Sequence, residues 1–352
     1  MGKNLFLLSI TVLIGIISLE YSASIQINRL IERTGYTKEL IEFHDHYYKE
    51  LHHLGRMNEA DAQNPSSLIF DEIGNGSSCI IIQGDSWAEQ YKINNSKEYL
   101  FNYLKKKKQQ HKFILAGTGS YSPSIMTSQL FLLRNDFGHN PEYLIAVIDQ
   151  TDLGDEICRY QELRREKEGR VIVEPEDENS IEYNSSFYIM DNFRMFFSEN
   201  YSIVKVFNYL KNVYKQKKNR KKYNIRCTKN QILDPLKNGL SSSQKEYIIN
   251  VLNDYFNEAF SSSDLKKLII ITHPHRGHLS GEYILNITDL IHEAKLESNH
   301  KNDIKIVSFF ESLKNCSINN LDNIFIDNDA YSHLKDDYFL TKILPKVISE
   351  IN

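Results

Sequence analysis

The sequence has little excess charge of either sign. Its 42 Lys and Arg residues stand against 46 Asp and Glu, which gives a formal net charge of -4. Proteins that bind nucleic acid or other polyanions usually carry a basic surplus, so this balance predicts no nucleic-acid partner. At 352 residues, the chain can bury the core of one large α/β domain, with or without an insertion, without needing disulfide bonds.

Cysteine is also scarce, and its spacing excludes the common zinc motifs. The four cysteines form no CxxC pair and no Cys/His ligand pattern, and each lies alone in an apolar or mixed segment. We therefore expect buried free thiols. If the chain is exported, one disulfide is the alternative, and the sequence does not indicate which cysteines would pair. The four are Cys79, Cys158, Cys227 and Cys316.

One long apolar run is present, at the N-terminus. Lys3 precedes an unbroken apolar stretch from Leu5 to Leu19, which matches the core of a signal peptide and is short for a membrane span. Tyr21 is bulky at the point where signal peptidase needs a small residue. We predict residues 1–24 to be a signal peptide or an uncleaved anchor, with the rest of the chain exported to the periplasm or beyond.

Apolar residues at helical spacing follow this run, from Ile25 to about Met57. They predict an amphipathic helix, and we assign residues 25–75 to a helical stalk or packing segment. From residue 76 onward the pattern changes to short β-branched bursts that alternate with helical stretches, which is typical of a parallel sheet with helical crossovers. The predicted strands are Cys79–Ile82, Phe113–Ala116, Tyr143–Ile148, Leu265–Thr272, Ile304–Phe309 and a short Ile324–Ile326.

The predicted fold is therefore a three-layer α/β/α sandwich of the flavodoxin-like kind, with a mostly parallel sheet of about five strands. We place its first part at residues 76–158 and its second part at 264–352. Between them, residues 159–263 predict a helical insertion that serves as a lid or substrate subdomain. A nearly all-basic run, Lys215 to Lys222, is interpreted as a solvated helix end, with anionic lipid or glycan binding as the alternative.

Polar residues follow the first predicted strand and precede the C-terminal helix. Ser86 comes directly after the first strand, and His333 lies in the last polar loop. Serine needs a neighbouring base, a group that orients the base, and donors for the oxyanion. Because parallel strands place their sites at their carboxyl ends, Ser86 and His333 predict a serine nucleophile and its base.

Three blocks of sequence resemble the SGNH (GDSL-like) hydrolase family. Gly84-Asp85-Ser86 resembles its first block, and Gly119-Ser120-Tyr121-Ser122-Pro123 its second. The resemblance implies Ser86 as nucleophile and the backbone N–H groups of Ser86 and Ser120 as oxyanion donors. Gly119 takes the place of Ser120 if the loop is shifted by one residue. Ser120 stands where the family usually has glycine.

The third block carries the main departure. Where the family usually has Gly-x-Asn-Asp, this chain has Asp149-Gln150-Thr151-Asp152. Either the Thr151 hydroxyl supplies the oxyanion donor, or that donor is weakened or comes from elsewhere. A lost donor typically costs about 100-fold to 1000-fold in rate. We expect Asp85 and Asp152 to support the site. The Asp-x-x-Asp-x-x-Asp-Glu stretch that starts at Asp149 resembles a branch of the family tied to cell-surface polysaccharides.

The final block normally reads Asp-x-x-His, but here the acid comes one residue early, at Asp329. Positions three and four residues back share one side of a helical turn, so Asp329 is our first choice to orient His333. Asp327 is the second choice, and a Ser–His dyad without an acid is the third. Ala330 stands at the usual acid position.

Three histidines, His273, His275 and His278, follow the fourth predicted strand. They permit a zinc-site interpretation, but no His-Glu-x-x-His pattern accompanies them. We therefore predict no metal and no cofactor. We expect this loop to line the substrate pocket, with His275 in contact with substrate, or to be a plain turn built around Pro274.

The sequence thus predicts an exported serine esterase with a Ser86–His333–Asp329 mechanism. The resemblance and the outward topology together imply acyl esters, most simply acetyl esters, on an envelope or secreted glycan. An acyltransferase, a lipase or a thioesterase of the same fold is an alternative. So is a catalytically weak SGNH-like protein that binds glycan or assists assembly. The oligomeric state is left open.

Overall fold

The computed structural model describes residues 2–34, 37–51, 54, 63–107, 111–174, 201–219, 227–314, 318–329 and 331–351. The described chain divides into two compact units. The larger, the core unit, comprises residues 49–55, 69–174 and 227–352. The smaller, the N-terminal unit, comprises residues 1–48, 56–68 and 175–226. The predicted insertion, residues 159–263, is therefore divided between the two units.

A six-stranded sheet forms the centre of the core unit. Its order is β1-β3-β2-β4-β7-β8, and every neighbouring pair is parallel except β1 with β3. Continuous apolar runs such as Ile80-Ile81-Ile82, which have no exposed surface, suit strands covered on both faces. The strands are β1 Asp71–Ile73, β2 Ser78–Gly84, β3 His111–Gly117, β4 Pro141–Val147, β7 Lys267–Thr272 and β8 Ile304–Ser308. A separate antiparallel hairpin contains β5 Arg164–Lys167 and β6 Arg170–Val173.

The sheet carries helices on both faces, so the predicted three-layer α/β/α class is correct. Isoleucines 80 and 82 pack with Leu100 and Leu104 of one helix and with Val347 of the C-terminal helix. Gln83 points to the opposite face, where its side chain is hydrogen-bonded to Met126, Gln129 and Tyr255. The helices are α1 Gly2–Thr34, α2 Lys38–Leu51, α3 Ser86–Glu89, α4 Asn94–Lys107, α5 Pro123–Asn135, α6 Asp152–Asp155, α7 Ser202–Asn219, α8 Lys229–Asn238, α9 Ser242–Phe260, α10 Arg276–Ser280, α11 Ile287–Glu297, α12 Phe310–Lys314, α13 Asp336–Tyr338 and α14 Leu344–Ser349.

The strands differ from the prediction at two places in the central sheet, and the β5–β6 hairpin lies in the part predicted to be a helical insertion. The predicted strand at Ile324–Ile326 is wrong: only Phe325 forms a bridge, with Leu334, next to a 3₁₀ turn at Ile318–Asn323. The sixth strand is instead β1, an edge strand of three residues. Because β1 is so short, it leaves no periodic signal in the sequence.

Two further expectations need correction. Cys158 and Cys227 form a disulfide, with Cα atoms 5.9 Å apart, so the prediction of free thiols is wrong for this pair. Cys79 is free and buried, and Cys316 lies outside the described residues. The N-terminal run and the start of the predicted stalk form a single helix, α1, rather than two segments.

In the N-terminal unit, α1 packs against α7. Its segment Ser9–Arg29, with a mean hydropathy of 1.6, is long and apolar enough to cross a membrane. By length and composition alone, α1 is thus compatible with a signal sequence or an anchor.

Candidate active site

A sharp turn after β2 presents Ser86 at the carboxyl edge of the sheet. Gly84 lies opposite Gly117 of β3 and Val147 of β4. A Cβ at Gly84, whose φ is 152°, would lie 2.3 Å from the carbonyl oxygen of Val147, so only glycine fits there. The Asp85 carboxylate then accepts the backbone N–H of Trp87 at 2.9 Å and caps α3. Ser86 is the first residue of that helix.

His333 and Asp329 complete a chain of hydrogen bonds with Ser86. The Oγ of Ser86 lies 2.7 Å from Nε2 of His333. The Nδ1 of His333 lies 2.6 Å from Oδ2 of Asp329. A proton on Nδ1 satisfies both contacts, because Nδ1–H then donates to the carboxylate and Nε2 accepts from the hydroxyl. This is the connectivity that activates a serine nucleophile.

Asp329 reaches His333 through a loop, so the helical turn we expected there is wrong. Oδ2 of Asp329 accepts the backbone N–H of His333 at 2.6 Å, and Oδ1 accepts that of Tyr331 at 3.1 Å. Ser332 has a φ of 57°, in the left-handed region, and its Oγ accepts the N–H of Arg276 at 3.1 Å. The tight loop compensates for the one-residue difference in spacing. Ala330 lies outside the described residues.

The second acid candidate points elsewhere, and the environment of Asp329 favours its ionised form. Asp327 is exposed and lies 3.5 Å from Nζ of Lys335. Burial alone would raise the pKa of Asp329. The N–H donors of His333 and Tyr331 and the adjacent imidazole outweigh burial, so the pKa of Asp329 is lowered. Asp329 thus places a negative charge beside the His333 ring.

Two backbone N–H groups are available for an oxyanion. Within the described chain, the N–H groups of Ser86 and Ser120 donate to no protein acceptor. The N–H of Gly119, by contrast, donates to the Glu89 carboxylate at 2.8 Å. Ser120 has a φ of 62°, a left-handed backbone conformation that glycine adopts without strain. This geometry favours Ser120 over Gly119.

The hydroxyl of Thr151, by contrast, already donates a hydrogen bond within the protein. Its Oγ donates to Oδ2 of Asp149, which also accepts the Thr151 backbone N–H at 3.1 Å. A hydroxyl has one proton to donate. Of the two alternatives for Thr151, the geometry therefore favours an oxyanion donor that is missing or supplied elsewhere.

A second His–Asp pair, which the sequence pattern did not reveal, lies buried in the core unit. Nε2 of His275 lies 2.7 Å from Oδ1 of Asp149, and both side chains are fully buried. Burial raises the pKa of Asp149, but the His275 charge and the Thr151 donors lower it to about 2. His275 is therefore a buried partner of the Asp149 carboxylate, and its contact with substrate stays a prediction.

Trp87, the one tryptophan, connects this pair with His333. Its indole stacks on His275 and His273, at centroid distances of 6.0 Å and 4.5 Å, and lies 6.0 Å from the His333 ring. The side chain is 1% exposed. Trp87 directly follows Ser86, and this adjacency was the one sequence signal for its contacts with the three histidines.

The predicted supporting acids are buried close to the nucleophile turn. One oxygen of Asp152 accepts the N–H of Asp149 at 3.0 Å. Burial, reinforced by the neighbouring carboxylates, raises the pKa of both Asp85 and Asp152. Glu156 accepts hydrogen bonds from Ser122 and Ser124, which fixes the loop that follows Ser120. These acids thus hold the backbone of the loops that surround Ser86.

The three histidines after β7 do not converge. Both ring nitrogens of His278 contact backbone, the N–H of His275 at 3.1 Å and the carbonyl of Leu285 at 2.8 Å. His273 is sandwiched between Trp87 and Phe309. Among the residues that the structure describes, no group of three or more His, Cys, Asp and Glu has a metal-binding arrangement.

No model of a known protein family matches the sequence, and no curated protein matches it either. Among solved structures, one similar chain is an alpha/beta hydrolase enzyme from the metagenome of Lake Arreo in Spain. It is 10% identical, has a TM-score of 0.37, and matches over 78% of this chain and 93% of its own. What the site can do is therefore argued from the residues of this chain.

Proposed function

We propose that the chain is a serine hydrolase of the SGNH type that cleaves acyl esters. The observation that carries this proposal is the continuous chain from Ser86 through His333 to Asp329, with contacts of 2.7 Å and 2.6 Å. Three side chains from two distant parts of the sequence are hydrogen-bonded in the order of hydroxyl, imidazole and carboxylate that nucleophilic catalysis requires. The helix-capping role of Asp85 and the close packing at Gly84 hold Ser86 in position for attack.

In this mechanism, Oγ of Ser86 attacks the ester carbonyl while Nε2 of His333 takes its proton. Asp329 stabilises the resulting imidazolium, and the N–H groups of Ser86 and Ser120 hold the oxyanion. The tetrahedral intermediate collapses when His333 returns the proton to the leaving alcohol. The acyl-Ser86 ester then reacts with water, activated by His333 in the same way, and releases the carboxylic acid.

For the substrate we propose an acyl ester, most simply an acetyl ester, on an envelope or secreted glycan. Two features support an exported location. The helix α1 carries an apolar segment long enough to cross a membrane, with Lys3 at its start. The Cys158–Cys227 disulfide is typical of an oxidising compartment. An acyltransferase would share every step up to the acyl-enzyme and differ only in the acceptor hydroxyl.

The experiment is hydrolysis of p-nitrophenyl acetate and longer esters by the purified chain. Ser86→Ala and His333→Ala should lose activity, since each removes a member of the nucleophile–base pair. Two exposed residues supply matched controls: Ser242→Ala and His292→Ala should keep it. A serine-directed phosphonate should label wild type and not Ser86→Ala. If the folded wild type neither turns over ester nor takes up the phosphonate, the proposal fails and a binding role replaces it.

A further inference from the structure

The helix α7 carries an exposed apolar face that the catalytic site does not use. Four large residues recur along it every three to four positions and therefore share one side of the helix. Tyr201, just before the helix, is also exposed. The four residues, which we call the α7 face, are Val204, Phe207, Leu210 and Tyr214, with exposures of 38%, 66%, 59% and 72%. A helix face of this kind, left open to water, indicates a missing partner.

The start of α7 is fixed to the helix that carries the apolar N-terminal run. The carboxylate of Glu20 accepts the backbone N–H groups of Ser202 and Ile203, the first residues of α7. Glu20 directly follows Leu19, the last residue of the unbroken apolar run. Residues of that run, from Ile10 to Leu19, are also exposed. The α7 face thus begins at the end of the Leu5–Leu19 run, which overlaps the first half of the longer apolar segment Ser9–Arg29.

The composition of α7 fits the surface of a membrane. Lys211 is exposed between Leu210 and Tyr214, and six of the eight residues from 215 to 222 are Lys or Arg. Tyrosine and phenylalanine beside lysine are typical of helices that lie in the bilayer interface, where rings enter the head-group region and ammonium groups meet anionic phosphates. An apolar protein partner would account for the exposed rings and not for this basic run.

We propose that α7 lies in the interface of the membrane that α1 enters, with the α7 face inserted at the level of the lipid head groups. The inference rests on the proposed anchor role of α1 and is independent of the catalytic assignment. It also requires that α1 be retained, because cleavage near residue 23 would remove Glu20 and with it the contact to α7. The chain would then hold the membrane by two elements, the apolar run of α1 and the α7 face.

The test uses a tryptophan placed on the α7 face of the full chain. Phe207→Trp and, as a second reporter, Tyr214→Trp are reconstituted in vesicles of mixed zwitterionic and anionic phospholipid. Lipids brominated high on the acyl chain quench an indole at that depth. Leu296→Trp is the matched control, since Leu296 is 74% exposed on α11 of the core unit. The buried Trp87 contributes the same background to every variant.

We expect the added tryptophan emission of Phe207→Trp and Tyr214→Trp to move to shorter wavelength and to be quenched by the brominated lipid. The added emission of Leu296→Trp should be neither shifted nor quenched. A blue shift without quenching would mean that protein covers the α7 face. An emission that is neither shifted nor quenched would mean that the α7 face is in contact with water. Either result overturns the proposal. Flotation of wild type with the vesicles tests the anchor separately. Flotation without quenching of both reporters therefore refutes the α7 contact alone.

Discussion

The carboxylate of Asp329 accepts both the backbone N–H and the ring Nδ1–H of His333, each at 2.6 Å. One acid thus fixes both the loop and the imidazole that the loop carries. The four-residue separation is accommodated by the left-handed backbone of Ser332, whose hydroxyl is in turn held by the N–H of Arg276. The position of the base therefore depends on a loop that its own Asp329 carboxylate and the Arg276 segment hold in place.

Asp329→Asn should lower kcat for ester hydrolysis by about 1000-fold to 10000-fold, because an amide favours the wrong imidazole tautomer and cannot stabilise the imidazolium. Steady-state kinetics on p-nitrophenyl acetate measures the loss. Asp327→Asn is the control, since Asp327 is exposed and pairs with Lys335, and it should leave kcat unchanged. A small effect of Asp329→Asn would indicate a Ser–His dyad.

Ser120→Ala and Ser120→Gly should both retain most of the activity, because the proposed oxyanion donor is the backbone N–H, which neither change removes. A loss of about 100-fold or more in Ser120→Ala would instead assign the donor to the hydroxyl. Ser120→Gly should also stabilise the fold by about 0.5–1 kcal/mol, since glycine adopts a φ of 62° without strain. Kinetics and chemical denaturation of the same preparations measure both effects.

His273→Phe should remove a source of acid sensitivity. Burial among Trp87 and Phe309 lowers the pKa of His273 to about 3, whereas an unfolded histidine titrates near about 6.5. The folded state thus binds fewer protons than the unfolded state between these values, and stability is lost as pH falls through that window. Between pH 7 and pH 5 this amounts to about 2 kcal/mol.

Denaturant unfolding of wild type and His273→Phe at these two pH values tests this prediction. The variant should gain about 2 kcal/mol relative to wild type on going from pH 7 to pH 5. A phenylalanine keeps the stack between Trp87 and Phe309. His292→Phe, at an exposed position, is the control and should show no such gain. A constant difference between His273→Phe and wild type would mean that His273 takes up its proton over the same pH range in the folded and the unfolded chain.

The central strands were predictable because their signal is local. The Ile80–Ile82 run is buried on both faces, and such runs stand out in the sequence. The pair Asp149 and His275 was not predictable, because the two residues are 126 positions apart and meet only once β4 and β7 are adjacent. The pairing of Cys158 with Cys227 was not predictable either, because these two residues are also far apart in the sequence. Ser86 and His333 were singled out by the order of short motifs, and their distance depended on the loop around Ser332.

The Cys158–Cys227 disulfide joins two residues of the core unit that are 69 positions apart in the sequence. A cross-link over that length restricts the unfolded chain and should contribute about 4 kcal/mol to the free energy of unfolding. Cys158 follows Asp155 and Glu156, and Glu156 fixes the loop after Ser120 through Ser122 and Ser124. Loss of the disulfide should therefore lower the free energy of unfolding. It should lower activity only under conditions in which the chain begins to unfold.

The double variant Cys158→Ser/Cys227→Ser, compared with wild type in denaturant, measures this contribution. Reducing agent should lower the midpoint of wild type to that of the variant and leave the variant unchanged. If the reductant has no effect on wild type and intact-mass analysis finds three or more free thiols, the two cysteines are not joined in the native chain. The argument for an oxidising compartment would then rest on α1 alone.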